Sequence, residues 1–235
     1  MANPYVNKVV INGETKLDLS GDTITADKLA EGYTAHDASG APITGTMTGG
    51  GVEPPYIKEI YDVNGNLIDA ELVGYTTIRD YAFYYCRNLA LTSLPSGLTS
   101  IGQYAFSNCT NLALTSLPSG LTSIGNYAFY NCTNLAFTSL PSGLTSIGNY
   151  AFYYCYKLAL TSLPSGLINI GDNAFYNCTN LKTLTFEGTP SEIKSSAFYN
   201  CTNLTTINVP WAEGAVSGAP WGATNATINY NYTGG

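Results

Sequence analysis

The sequence predicts an elongated solenoid of α/β type, with parallel strands on one face and short helical or 3-10 turns on the other. Three observations carry this. The pair Ala-Phe recurs at Phe83, Phe106, Phe129, Phe152, Phe175 and Phe198, each 23 residues after the last. The six cysteines, Cys86, Cys109, Cys132, Cys155, Cys178 and Cys201, keep the same step. Three residues after each cysteine stands an invariant leucine: Leu89, Leu112, Leu135, Leu158, Leu181 and Leu204. A 23-residue unit is too short to bury its own apolar face, but stacked units bury it by setting the same residue type above itself in every coil.

The chain before the repeats divides in two. In residues 1–48, VVINGETKLDL predicts a hairpin around Asn12-Gly13. TADKLAEG predicts a short helix with Thr25 at its N-cap and Gly32 past its end. His36 follows in a Gly- and Ser-rich loop. So short a segment cannot build a large core, and it is expected to settle against a partner or in an oligomer. Residues 49–75 begin with a Gly49-Gly50-Gly51 joint. They continue into a second hairpin with its turn at Asn64-Gly65, expected to pair onto the first coil.

The six units occupy residues 76–209. In each, the segment from the invariant leucine to proline (Leu89–Pro95 in the first) is expected to be a short parallel strand. Pro95, Pro118, Pro141 and Pro164 end four of them, because proline cannot donate to a ladder. Ser-Gly then turns the chain, and IGNYAFYNC supplies the helical or 3-10 turn on the opposite face. Residues 210–235 break the period and carry both tryptophans. Trp211 and Trp221 can cover the exposed core of the last coil, and ATINYNY can add a final strand.

The repeated pattern IGxxAFxxCxxL…LP resembles the BspA-like leucine-rich repeats of bacterial surface and phage proteins. The resemblance covers about residues 75–210 and implies an α/β-type leucine-rich-repeat solenoid used for binding, with no catalytic residues to carry over. The usual unit of such repeats reads L-x-x-I-x-I-P. The last two units follow it, with Leu184/Phe186 and Ile207/Val209. The first four read L-x-L-T-S-L-P, which moves the middle apolar residue (Leu91, Leu114, Phe137, Leu160) one place earlier. A one-residue shift turns a strand's side chain to the other face. Two arrangements are open. These residues form an exposed apolar stripe, with Thr92, Thr115, Thr138 and Thr161 buried, or a bulge restores the register. The N-terminal string TADKLAEGYTAHDASGAPITGTM resembles a short module of tail and other virion proteins of phages infecting Gram-positive bacteria. That implies a small β-rich docking module.

Composition limits the chemistry. Residues 1–80 hold twelve acids and five bases, residues 81–235 four of each, and none stands between Asn88 and Tyr156. Phosphate backbones need clustered Lys and Arg, so no nucleic-acid surface is expected. No apolar run is long enough to span a membrane. The opening residues lack the basic-then-apolar pattern of a signal peptide.

The even cysteine spacing fits no zinc pattern. Neighbouring coils would set the cysteine Cβ atoms about 4.8 Å apart and parallel, too far for good disulfide geometry. The cysteines are therefore expected to be small buried hydrophobes. With His36 the one histidine and no nucleophile-elbow motif near it, no catalytic triad is expected. Asp172, Glu187 and Glu192 look like solvated charges rather than a glycosidase pair. No catalytic, metal or cofactor-binding residue is expected.

The remaining candidates for contact are the shifted column Leu91, Leu114, Phe137 and Leu160, which is a binding surface only if exposed, and Tyr84, Tyr130, Tyr153 and Tyr176. Tyrosines can simply pack over the solenoid with their hydroxyls wet. They can equally supply, with asparagine, a surface for protein or sugar. The expected protein is a non-enzymatic virion component, a tail, baseplate or head appendage released by host lysis. It would contact other virion proteins through residues 1–48 and a host surface protein or glycan through the solenoid, and would form a homo-oligomer. The alternative is a bacterial surface or secreted adhesin of the same repeat family. Because each coil touches only its neighbours, deleting one complete 23-residue unit should leave a folded, soluble protein. Aggregation of that deletion variant in gel filtration would count against the solenoid.

Overall fold

The structure, a computed structural model, describes residues 56–234 together with the strand residues 8–9, 17–18, 34–36 and 42–44. The chain divides into two compact units, Met1–Glu59 and Ile60–Gly235. In the first, β1 (Lys8–Val9) pairs antiparallel with β2 (Leu17–Asp18), in the register of a hairpin around Asn12-Gly13. The strands β3 (Thr34–His36) and β4 (Pro42–Thr44) also pair antiparallel, with His36 opposite Pro42. His36 is therefore a strand residue rather than a loop residue. The helix expected over residues 25–32 lies outside the described residues.

A hairpin of β5 (Tyr56–Tyr61) and β6 (Leu67–Val73) precedes the coils. Its turn is closed by Asp62, whose Oδ1 accepts the backbone N–H of Asn64 at 2.8 Å and of Asn66 at 2.9 Å. Gly65 supplies the left-handed φ of 77° that the turn needs. On β6 the side chains alternate, with Ala70 and Leu72 inward. The Ala90 N–H donates to Ile68 O at 2.8 Å, which joins this hairpin to the first coil.

The coils stack through two parallel ladders. The longer consists of β7 (Thr77–Ile78), β8 (Ser100–Ile101), β9 (Ser123–Ile124), β10 (Ser146–Ile147), β12 (Asn169–Ile170) and β14 (Glu192–Ile193), neighbours in that order. The shorter consists of β11 (Ser162–Leu163), β13 (Thr183–Phe186), β15 (Thr206–Asn208) and β16 (Thr227–Asn229). The six-stranded ladder thus runs through Thr-Ser-Ile-Gly, not through the leucine-to-proline segment where the sequence placed it. That segment forms regular strands only toward the C-terminal end.

The reason lies in the displaced apolar residue. Leu91, Leu114, Phe137 and Leu160 are buried, at 1–4% exposure, and the four following threonines are exposed. Two consecutive side chains, such as Thr115-Ser116, face outward and return Leu117 to the core. This is the bulge alternative, and it spoils the local ladder. In the later coils the outward pair stands one step earlier, at Lys182-Thr183, so Leu184 and Phe186 both point inward along a true strand. The four displaced residues are core and cannot form a contact surface.

The opposite face also differs from expectation. No α- or 3-10 helix occurs among the described residues. In the second coil Tyr104, Phe106 and Asn108 donate their N–H groups forward to Asn126 O, Ala128 O and Tyr130 O at 2.7–2.9 Å. Ala105, Ser107 and Cys109 donate back within the coil to Gly102 O, Tyr104 O and Phe106 O. A helix keeps all its N–H groups within one coil; here every second one crosses to the next. The switch is made by left-handed residues, Tyr104 at φ 54° and Asn108 at φ 64°, repeated as Tyr127 and Asn131 and as Tyr150 and Tyr154. Left-handed backbone interrupts any helix and costs roughly 1–2 kcal/mol in residues other than glycine and asparagine.

Between the two ladders lies the core. The six phenylalanines stack ring on ring at 5.1–5.4 Å, all within 11° of parallel. Each is at most 2% exposed. A buried phenylalanine contributes about 1.5–3 kcal/mol. After the last coil Phe198 N–H donates to Trp221 O at 2.9 Å, and β16 pairs with β15. Trp221 is fully buried and Trp211 lies edge-on to Phe186 at 5.2 Å, so both indoles close the end of the core.

Coil spacing is tight at the glycine of each Ile-Gly pair. A Cβ on Gly125 would stand 2.7 Å from the Gly102 carbonyl carbon, and one on Gly148 would stand 2.6 Å from Asn126 N. Gly143, in the Ser-Gly turn, has its nearest neighbour at 3.8 Å. Gly125→Ala should therefore cost about 1–3 kcal/mol, as overpacking does. Gly143→Ala should be neutral or stabilise by about 0.4–1 kcal/mol through the unfolded chain. Urea unfolding of the two variants checks the contrast, and equal behaviour would contradict this packing.

Candidate functional site

The alternating backbone of the turn face projects side chains outward in columns. One column is Tyr81, Tyr104, Tyr127 and Tyr150, whose rings stack at 4.5–4.9 Å. Three residues further along each coil stands a second column. There Tyr130, Tyr153, Tyr176 and Tyr199 stack at 4.3–5.6 Å. Of the four tyrosines singled out from the sequence, Tyr130, Tyr153 and Tyr176 share this continuous stack. Tyr84 is separated from it by Ser107, which occupies the same column in the second coil.

Around that gap lies a groove of about 430 Å³, bordered by Tyr84 and Tyr85 on one side and by Tyr130, Tyr154 and Tyr156 on the other. Its floor is polar. Asn108 Nδ2 donates to Ser107 Oγ at 3.1 Å, and Asn131 Nδ2 donates to Asn108 Oδ1 at 3.0 Å. Ser107, Asn108, Tyr85, Tyr154 and Tyr156 were not reached by sequence reasoning, which followed the tyrosines that repeat. The signal was available as departures from the repeat: serine where the other coils carry tyrosine, and tyrosine at 85 and 154 where four coils carry asparagine.

Burial, more than any other cause, raises the phenol of Tyr130 above its ordinary value, and the neighbouring phenols of Tyr154, Tyr85, Tyr156 and Tyr104 add to it. Tyr84, Tyr127 and Tyr156 shift the same way, again chiefly by burial. These four phenols therefore stay uncharged beyond the ordinary tyrosine range. The Arg87 guanidinium carbon lies 5.1 Å from the Tyr85 ring centroid. A wider depression of about 780 Å³ runs along β7 to β10, but its floor is the backbone of Gly102, Gly125 and Gly148 and it offers no ring to a ligand.

All six cysteines are free thiols. Five are more than apolar filler: Cys109, Cys132, Cys155, Cys178 and Cys201 donate to the phenylalanine carbonyl one coil back, at 2.9–3.2 Å. Burial raises their thiols, that of Cys201 to about 12 and the others further. Inaccessible and protonated, they are poor nucleophiles. No group of three or more His, Cys, Asp or Glu able to hold a metal occurs among the described residues.

The model of the BspA type leucine rich repeat region matches six copies over residues 76–205, more than half of the chain. The chain belongs to this family. No curated protein matches it. Among solved structures it is similar to the T. pallidum leucine rich repeat protein TpLRR, at 28% identity and TM-score 0.53, over 65% of this chain and 81% of that one. It is also similar to a leucine-rich repeat protein from Bacteroides ovatus, at 24% identity and TM-score 0.49, over 65% and 45% of the two chains. A third is the pneumococcal vaccine antigen PcpA, at 22% identity and TM-score 0.49, over 73% and 47%. The matched region thus spans less than half of the latter two chains.

The thiol ladder has a consequence for alkaline stability. A thiol raised in the folded state contributes stability that is complete below the unfolded value, about 8.5, and is lost as pH rises toward the folded one. Within that window each buried cysteine should cost about 1.4 kcal/mol per pH unit. The urea midpoint is expected to fall steeply between pH 8 and pH 10.5, and Cys132→Ala should show a shallower slope. A flat profile would contradict the buried thiol ladder.

Proposed function

We propose that this is a non-catalytic recognition protein whose solenoid presents the tyrosine and asparagine groove to a molecule on a cell surface. The observation that carries the reading is the groove itself, a set of exposed and half-buried rings over an amide and hydroxyl floor, held on a stacked scaffold. Rigid aromatic side chains give contact area at low entropic cost, and asparagine supplies adaptable hydrogen bonds. With no charged residue from Asn88 to Tyr156, recognition rests on shape, stacking and hydrogen bonds rather than electrostatic steering. The same composition speaks against catalysis, since the groove is lined by no carboxylate or imidazole and five of the six thiols are buried.

Residues 1–48 anchor the solenoid to a larger assembly, in this reading a phage or prophage virion. The support is the resemblance of TADKLAEGYTAHDASGAPITGTM to a module of virion proteins. Family membership gives equal support to a bacterial surface adhesin, in which the same groove would serve. Immunogold labelling separates the two: label on purified particles supports the virion, and label confined to the envelope of the producing cell supports the adhesin.

For recognition itself, the full chain should bind Gram-positive cells in flow cytometry. The combined Tyr84→Ala, Tyr130→Ala and Tyr156→Ala variant should lose at least tenfold in binding while still unfolding cooperatively. Undiminished binding would remove the groove from the function.

A further inference from the structure

The ladders end in strands of two kinds. The outermost strand of the long ladder, β14, carries Glu192 and is followed by Lys194, and these two side chains form an ion pair. At the other end of that ladder, β7 is followed by Arg79 and Asp80. The hairpin strand β5 carries Lys58 and Glu59. Charges in such places keep exposed strand edges from pairing with other chains. The outermost strand of the short ladder, β16, has none. It reads Thr227-Ile228-Asn229, and no charged side chain occurs after Glu213.

The core is also incompletely covered at β16. Leu184, Ile207 and Ile228 follow one another in a single column of the ladder. The first two are 0% exposed, whereas Ile228 is only half-buried. Beside them the side-chain chain of Thr185, Asn208 and Asn229 stops at β16: Asn208 Nδ2 donates to Thr185 Oγ1 at 3.1 Å and Asn229 Nδ2 to Asn208 Oδ1 at 2.8 Å. The backbone completes the edge. Thr227 N–H donates to Thr205 O and Val209 N–H donates to Asn229 O, both at 2.9 Å, so residues 227 and 229 turn their polar groups toward β15. Successive residues of a strand turn these groups to opposite sides. The N–H and C=O of Ile228 therefore point outward, and no described strand lies beyond them.

From this geometry we infer that β16 is the contact surface for a second copy of this chain, whose own β16 pairs with it antiparallel about a two-fold axis at Ile228. An axis relating two antiparallel neighbours stands normal to the sheet and leaves every side chain on its own face. Ile228 then lies opposite the second copy's Ile228, and Thr227 opposite the second copy's Asn229. Ile228 is the residue able to exchange both N–H···O bonds with its own copy, as the hydrogen-bonded pair of an antiparallel ladder does. On the core side isoleucine meets isoleucine, and on the outer side hydroxyl meets amide, with no like charges opposed. The patch is thus self-complementary, as a two-fold interface requires. The two short ladders become one continuous sheet, and Ile228 gains the cover that Leu184 and Ile207 already have. The dimer carries two tyrosine grooves, but its formation does not depend on what they bind.

The register supplies the test. Light scattering of the full chain should give an even multiple of its 25.0 kDa mass. Thr227→Lys combined with Asn229→Lys sets like charges directly opposite each other on both sides of the axis, and should halve that mass. Thr227→Lys combined with Asn229→Asp sets opposite charges in the same two places, and should keep the mass of the unaltered chain. A monomeric unaltered chain, or a mass that the double-lysine variant leaves unchanged, overturns the interface. Halving in both variants overturns the antiparallel register. If the double-lysine variant no longer unfolds cooperatively, hydrogen exchange at the Ile228 amide of the unaltered chain decides. Exchange that slows as protein concentration rises supports the pairing, and exchange independent of concentration overturns it.

Discussion

Coils can hydrogen-bond one another only where their backbones approach to about 4.8 Å, and the Ile-Gly column is where this chain meets that requirement in coil after coil. At Gly102, Gly125, Gly148 and Gly171 any Cβ would fall within 2.8 Å of the preceding coil's backbone. On one side of this contact runs the six-stranded ladder. On the other, the chain turns through left-handed residues that send alternate N–H groups across to the next coil. The phenylalanine stack, the thiol ladder and the tyrosine columns all inherit their spacing from that approach.

The same spacing explains the composition. A residue repeated once per coil stands about 4.8 Å from its own copy. A column of aspartates or lysines would therefore set like charges side by side, an unfavourable arrangement. Neutral groups that both donate and accept escape this. Asn126 Oδ1 accepts the Asn149 N–H at 2.8 Å, Asn149 Oδ1 accepts the Asp172 N–H at 2.8 Å, and Thr122 Oγ1 donates to Thr99 O at 3.0 Å. The charge-free stretch is thus a condition of stacking near-identical coils, before it is any statement about a ligand. A column that gains a charge can obey the same logic: Lys157 Nζ, in place of an asparagine, donates to Asn134 Oδ1 at 2.7 Å.

Much of this was legible in the period alone. A fixed 23-residue step with invariant Phe, Cys and Leu requires parallel stacking around a common core, and the structure has it. Which segment carries the long ladder was not legible. Leu-to-Pro and Thr-Ser-Ile-Gly are both short and β-prone, and the outward pair Thr115-Ser116 decides between them only once neighbouring coils are in place. The turn face was misread as helical because left-handed φ at Tyr104 or Tyr150 has no local signature; tyrosine is an unusual occupant, tolerated here because its ring stacks on the next coil's. The thiol ladder escaped because a donor is indistinguishable from a small hydrophobe in sequence. At the groove, two of the four tyrosines singled out from the sequence, Tyr84 and Tyr130, are lining residues, yet the residues that shape it are those that break the pattern.

That last point follows from the architecture. In a stack of near-identical coils a surface column is uniform along its length, so a regular column offers no place at which a ligand would prefer to sit. A distinct site needs a coil that differs from its neighbours. The invariant Phe, Cys and Leu columns permit no such difference, because each residue supports its copies above and below. The turn face does permit it, since a side chain there can be exchanged for a smaller one while its backbone N–H groups keep both sets of partners. Ser107 is such an exchange: its N–H still donates to Tyr104 O at 3.1 Å and its carbonyl still accepts Tyr85 N–H at 2.8 Å. The solenoid supplies rigidity through repetition, and the departures from repetition on its surface are where selectivity can be written without cost to the stack.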